Sequence, residues 1–306
     1  MRKIKIVLSL IAVCIGFVLL ASKLIFQRHW VGDYQVLIDK NLKTLSIYGY
    51  RGDEEVVIPT EIGLFEVKYI YNDTFKDNLD ITSVLIPKEY SAYLDFSGCI
   101  NLKKIEFEEG TMVAKVCVSE CESLEEVVIP EGVEIISGWF INCPGLGDIK
   151  FPSTLKKARK HDFDNSNLYE IHKNEKYYVV GDGVLLFFNG DYNQDIVVPK
   201  GVKSFDDYIP KDEVDPRKVF IPDTISILRT QISDGDTFYF GDGEFESLDL
   251  DCLEHGVNGT IIAPADSYVE EYCKENGYTF RVMTDEEEKE WREKTEAAVS
   301  EITYQE

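Results

Sequence analysis

Two ladders of residues share one period in this chain, and that shared period narrows the fold more than any other feature. An apolar residue followed by proline recurs at Ile58-Pro59, Ile86-Pro87, Ile129-Pro130, Phe151-Pro152, Val198-Pro199 and Ile221-Pro222. Pro130 to Pro152 is a step of 22, Pro199 to Pro222 is 23, and Pro87 to Pro130 is 43 with Phe107-Glu108 at its middle. A second ladder, Asn78, Cys99, Cys121, Cys143 and Asn165, advances by 21, 22, 22 and 22. Each of its members is followed three residues later by Ile81, Leu102, Leu124, Leu146 or Leu168. Units this short cannot bury a hydrophobic face alone, so the period implies stacking into a solenoid. The 47 residues from Pro152 to Pro199 leave room for one irregular unit with an insertion.

Each unit reads as a short strand ending at proline, a polar turn and an apolar return leg. In Leu124-Glu125-Glu126-Val127-Val128-Ile129-Pro130, strand alternation turns Val127 and Ile129 inward and Val128 outward. Proline offers no N–H and ends the ladder. The Asn or Cys position falls in the bend before the strand, where Asn needs hydrogen-bond partners and Cys fills the same volume at little polar cost. The same register places Val57, Leu85, Glu106, Val128, Lys150, His172, Val197 and Phe220 on the outward row. Several are large and apolar where a solvated face would be mostly charged, so Leu85, Val128, Lys150, Val197 and Phe220 are the expected binding residues. Strand propensity alone is the competing explanation for Val and Phe.

The pattern Asn/Cys-x-x-Leu-x-x-Ile-x-Ile-Pro resembles the leucine-rich repeats of the BspA-like bacterial surface-protein family. Tyr34 to Leu37, Ile47 to Tyr50, Val57 to Ile62 and Val67 are similar to that family's entry into the array, and Asn174 to Val179 with Gly183-Val184-Leu185 looks like its inserted hairpin. Ser267 to Gly277 resembles its closing helix. The resemblance implies a mainly β repeat solenoid of leucine-rich-repeat type, with short strands, an inserted hairpin and a C-terminal capping helix. It also implies an exposed protein engaged in adhesion or protein binding. The expected organisation is a signal anchor or transmembrane segment at 1–29, N-terminal capping strands at 30–56 and the solenoid at 57–264 with its insertion near 172–195. A C-terminal cap at 265–283 and an acidic tail at 284–306 follow. Apolar spacing is lost at Tyr90 to Asp95, Met112 to Val118 and Asp206 to Arg217, where irregular units are expected. The tail, Glu-rich with Trp291, Ala297, Ala298 and Ile302, reads as a solvated helix.

Arg2, Lys3 and Lys5 precede Ile6 to Ser22, 17 uncharged and mostly apolar residues, with Lys23 and Leu24-Ile25-Phe26 after them. Leu19-Leu20-Ala21 lacks the small residue that cleavage prefers, so an uncleaved anchor is expected, with secretion after cleavage as the alternative. Charge denser on the Met1 side puts the body outside the cytoplasm. The chain has 32 Lys plus Arg against 56 Asp plus Glu, and five of the basic residues lie in the first 29 positions, which hold no acid. So acidic a body repels phosphate backbones, and no nucleic-acid partner is expected. The expected partner is a protein or other macromolecular surface ligand.

Catalytic signatures are missing: there is no His-Glu-x-x-His, no Gly-x-Ser-x-Gly and no phosphate loop ending in Lys-Ser/Thr. No catalytic residue, metal ligand or cofactor is expected, although the many carboxylates leave a hydrolase pair as a remote alternative, beside a structural envelope component. Successive ladder positions stand about 4.8 Å apart, inside the Cα range of a disulfide but an awkward fit to its shorter Cβ distance. Buried free thiols are therefore expected, with one disulfide through Cys117 or a ladder pair as the alternative. Gly181-Asp182-Gly183 and Gly241-Asp242-Gly243 read as hairpin turns rather than calcium loops.

Overall fold

The computed structural model describes residues 28–90, 92–147, 149–207, 216–231, 235–250 and 259–305. The anchor expected at 1–29 falls almost wholly outside these, as does most of the irregular unit expected at Asp206 to Arg217. Among the described residues no helix is long and apolar enough to cross a membrane.

The chain coils into a solenoid with two strand-bearing faces. On the first face, the strands that end at the apolar-proline pairs stack in parallel: Glu55–Val57, Ser83–Ile86, Lys104–Phe107 and Glu126–Val128 in the N-terminal half. In the C-terminal half the same face is built from Ile196–Val197, Lys218–Ile221, Thr237–Phe240, Thr260–Ala263 and Thr279–Val282. The return legs form the second face, through Leu94–Asp95, Val113–Cys117 and Ile135–Trp139, then Ser204–Asp206, Ile227–Arg229 and Ser247–Asp249. Met112 to Val118, expected to be irregular, holds the regular strand Val113–Cys117. Tyr34–Asp39 and Thr44–Tyr50 pair antiparallel and cap the N-terminal end.

Between the return leg and the next strand the chain turns through a bend that repeats atom for atom. Asp77, Gly98, Glu120, Asn142 and Asn165 all take positive φ, between 56° and 75°. The N–H of each of the first four donates to the next turn, Asp77 to Ser97 O, Gly98 to Ser119 O, Glu120 to Ile141 O and Asn142 to Asp164 O, at 2.8 to 3.0 Å. Glycine fills that place at 98, where a Cβ would meet the Asp77 carboxylate and force that side chain aside. One residue further on, Cys99 Sγ donates to Phe75 O at 3.1 Å, Cys121 Sγ to Phe96 O at 3.2 Å and Cys143 Sγ to Val118 O at 2.9 Å. Each thiol thus adds a bond to a carbonyl of the turn below; Phe75 O and Phe96 O also accept from the backbone N–H of Asn78 and of Cys99. Asn165 belongs to the positive-φ row rather than to the cysteine row: it is exposed, and Ser166 takes the buried place, 2% exposed, with its hydroxyl donating to Phe163 O. A 22-residue step falls one residue short there, since Cys143 to Ser166 is 23.

The inserted hairpin, Tyr177–Val180 with Val184–Phe188, has every residue buried. It stands across the interior as a septum. Tyr178, Val180, Val184, Leu186 and Phe187 close the N-terminal core, while Tyr177, Val179, Leu185 and Phe188 open the C-terminal one. A strand buried on both sides needs an unbroken apolar run, and Tyr-Tyr-Val-Val and Val-Leu-Leu-Phe-Phe supply it. The capping helix Tyr268–Asn276 has Ser267 accepting from Glu270 N–H at its start and left-handed Gly277 at its end.

The acidic tail departs from the solvated helix expected of it. Thr284 and Glu287 form a reciprocal capping box at the start of the helix Asp285–Ala297. That helix lies on the first face of the C-terminal half. Trp291 is 6% exposed, packs over the position where Gly241 lacks a side chain and donates its indole N–H to Ile221 O at 2.9 Å. The chain then runs on to the strand Ile302–Tyr304, which pairs in parallel with the septum strand Tyr177–Val180. Gln305 completes the closure: its backbone N–H donates to Val179 O at 3.1 Å, and its side-chain oxygen accepts from Phe151 N–H at 3.0 Å.

Candidate docking face

Strand register fixes the outward row residue by residue. Val57, Leu85, Glu106 and Val128 are direct neighbours across parallel strands. Val84, Val127 and Ile129 turn into the core, as alternation requires. Val57 is 60% exposed, Leu85 and Val128 are half-buried and Lys150 is exposed. Lys104 opens its strand beside the row, with its ammonium 3.3 Å from Glu106 and 3.4 Å from Glu126. The hydrogen bond to Glu106, with help from Glu126, raises its pKa and keeps the charge in place.

Two residues expected to stand open on this row do not. His172 ends the short helix Asn167–His172, is buried, stacks on Tyr178 with ring centroids 3.7 Å apart and bonds Glu175 at 3.1 Å. The insertion carries it off the face. Phe220 does point outward, yet its exposure is 0%, because the tail helix covers it. It stacks on Tyr239 with centroids 4.9 Å apart, and Trp291 completes a cluster of Phe220, Tyr239 and Ile262. Lys294 places its ammonium 4.4 Å from the centre of the Phe220 ring. Val197, half-buried, packs against the same cluster. Tyr239 and Ile262, paired in register with Phe220, are row members that the proline spacing does not reach.

Equivalent positions therefore stand open in one half and occupied in the other. Lys218 opens its strand as Lys104 does, and it holds Glu290 of the tail helix at 3.0 Å. Lys294 of the helix returns the pairing to Asp195 at 2.9 Å.

Buried carboxylates away from the docking row are held by cations. Asp162 bonds Arg159 at 2.8 Å, Asp206 lies 3.4 Å from Lys157 and 3.7 Å from Arg229, and the buried Asp236 bonds Arg217 at 2.8 Å. Burial pushes Asp162 up to about 6 even against the pull of Arg159. The pairs are shared rather than one-to-one, since Asp206 has two cations and Arg229 also reaches Asp249 at 3.3 Å, and they tie one turn to the next. Among the described residues no group of three or more His, Cys, Asp or Glu is placed to hold a metal ion. All five described cysteines are buried free thiols, and burial raises Cys99 to about 11 and Cys273 to about 12. At neutral pH both are protonated and poor nucleophiles.

The family model for the BspA type leucine rich repeat region matches in six copies, over residues 38–139, 68–186 and 111–235. The chain belongs to the BspA-type leucine-rich-repeat family. Solved structures similar to this BspA-type chain include a T. pallidum leucine-rich-repeat protein, 16% identical over 83% of this chain and 98% of that one, with a TM-score of 0.34. A leucine-rich cell surface protein from Faecalibacterium prausnitzii A2-165 is 14% identical over 88% and 97%, with a TM-score of 0.33. A leucine-rich-repeat protein from Bacteroides ovatus is 13% identical over 84% and 100%, with a TM-score of 0.32. No curated protein matches the chain.

Proposed function

We propose that this chain is a non-catalytic protein-docking module, held outside the cytoplasm by its N-terminal apolar segment, and that its partner lies along the open first face. The observation that carries this reading is internal to the molecule. The outward row of the C-terminal half takes an amphipathic helix, using aromatic and aliphatic row members for contact and a strand-opening lysine for charge. The row of the N-terminal half repeats the design with Val57, Leu85 and Val128 for contact and Lys104 for charge, and among the described residues no helix lies over it. Apolar side chains aligned along a solenoid concentrate binding energy in a few anchors. An amphipathic helix or extended segment with an acidic residue facing Lys104 matches that surface.

The experiment is quantitative binding of a partner recovered from the cell surface and then purified. Leu85→Asp with Val128→Asp is expected to weaken that purified pair about tenfold or more, equivalent to about 1.4 kcal/mol. Lys115→Asp, on the second face, is expected to leave it unchanged. Equal affinities for wild type and the double variant would remove the open face as the site.

A further inference from the structure

The N-terminal cap carries an aromatic surface that the docking row does not use. Arg28 lies flat on Tyr48, its guanidinium carbon 3.7 Å from the ring centre, and Tyr48 stacks on Tyr71 with centroids 4.0 Å apart. Beside them Arg51 lies 4.1 Å over the Trp30 ring. Trp30 sits beside Gly49, where a Cβ would be in ordinary contact with the indole at 3.8 Å. These rings stay open to solvent: Trp30 is 41% exposed, Tyr71 50% and the neighbouring Tyr69 57%. Both arginines are exposed as well. Cation stacking costs side-chain freedom, and rings held this way on the outside of a cap add nothing to the core.

We propose that this surface docks into the headgroup layer of the membrane that anchors the chain, so that the cap rests on the bilayer. This rests on the reading of the N-terminal segment as a membrane anchor. The first argument is length. Phe26, the last apolar residue of that segment, precedes Arg28 by two residues, and a fully extended chain spans at most about 3.6 Å per residue. A tether of roughly 7 Å cannot lift the cap clear of a headgroup zone. The second argument is chemistry. Tryptophan and tyrosine concentrate at the membrane interface because their rings are apolar and their N–H and O–H are polar, while guanidinium groups bond phosphates in pairs. The third is charge. Every residue from Met1 to Trp30 is basic or uncharged, whereas the body beyond is strongly acidic, so an anionic bilayer repels the solenoid and leaves the cap as the contacting end. The Asp33 carbonyl oxygen accepts from Arg51 N–H at 2.9 Å and ties Arg51 to the cap. Such a patch suits an interface layer better than an acidic protein surface.

The test uses the full chain in vesicles of phosphatidylcholine and phosphatidylglycerol, with bromine placed on the acyl carbons nearest the headgroups. Flotation reports the anchor, and bromine quenching of tryptophan fluorescence reports the cap. The wild type is expected to float and to show a quenchable fraction that falls at least threefold in Trp30→Phe, since Trp139 and Trp291 sit on the solenoid body. Arg28→Glu with Arg51→Glu changes only exposed side chains and is expected to float while losing at least half of the quenching. A chain that floats with equal quenching in wild type and Trp30→Phe overturns the docking and leaves the anchor standing. A chain that does not float removes the anchor, and the docking falls with it.

Discussion

The two halves of the first face are one design under two circumstances. In the N-terminal half the outward row is Val57, Leu85, Glu106 and Val128, open to solvent; in the C-terminal half it is Val197, Phe220, Tyr239 and Ile262, roofed by the tail helix. The difference lies in side-chain size. Where the tail helix lies over it the row centres on the aromatics Phe220 and Tyr239 and is buried from Phe220 to Ile262, and in the other half it is aliphatic, partly exposed and diluted by Glu106 and Lys150. A solenoid tolerates both because its core lies on the inward row, which is apolar throughout. Outward positions are free to answer to whatever lies against them, another part of the chain or a different molecule.

Substitutions on the roofed half should break the comparison most sharply. Trp291→Ala removes the indole that fills the space above Gly241 and one of the two donors to Ile221 O, the Gly241 N–H remaining, and it is expected to cost about 3–5 kcal/mol in denaturant unfolding. Phe220→Asp should fall in the same range, by burying a carboxylate against Tyr239. If either behaves as a mild surface change, the helix does not roof that face in solution.

The thiol ladder should separate core from row within the open half. Cys121→Ala deletes a buried thiol and its bond to Phe96 O, with an expected loss of about 1–3 kcal/mol by chemical denaturation. Cys121→Ser should lose less, because a hydroxyl can donate as the thiol does; Ser166 fills the equivalent bend with its hydroxyl bonded to Phe163 O of its own turn. A serine variant weaker than the alanine variant would show that volume, rather than the bond to the carbonyl, sets the cost.

Acid should loosen the roofed half before the open one. The hydrogen bond from Arg281, with the Thr284 cap, holds Glu287 down at about 2, below its ordinary 4.5. A depressed carboxylate contributes stability above its ordinary range and loses it as pH falls toward the folded value. Tail docking, followed by Trp291 fluorescence, is therefore expected to weaken between pH 4.5 and 2, and Glu287→Gln should flatten that dependence. Least affected of all should be the fold of Val128→Asp, within about 0.5 kcal/mol of wild type, since this outward side chain supports no core contact. A larger loss would mean the open row is already covered in solution.

Much of this was legible in the residues, and the exceptions share one cause. Period and proline placement give the solenoid, its register and the inward row, because they report contacts between adjacent turns. Tyr177 to Val180 and Val184 to Phe188 announce the hairpin by their unbroken apolar runs. What escaped were contacts between distant segments. The tail helix is so rich in glutamate that its buried stripe of Trp291, Thr295 and Ala298 hides in the composition, and Phe220 was read as solvent-facing for want of its roof. The signals that do exist are a lone tryptophan in a charged helix and the Thr284-x-x-Glu287 cap. His172 left the row for another reason: a 22-residue period cannot be carried through an insertion.

The pairing of Ile302–Tyr304 with the septum also sets a clock. Repeat arrays fold by adding each turn to the one before, so their contacts are local and form as soon as a turn emerges from synthesis. Here Phe151 waits for Gln305, 154 residues away, before its N–H finds its partner. Until the final residues arrive, the edge of Tyr177–Val180 stays open to any other strand, the state in which nascent chains are most prone to pair wrongly. Truncation of a few terminal residues should therefore show first as aggregation during biosynthesis, even where the purified protein still melts cooperatively.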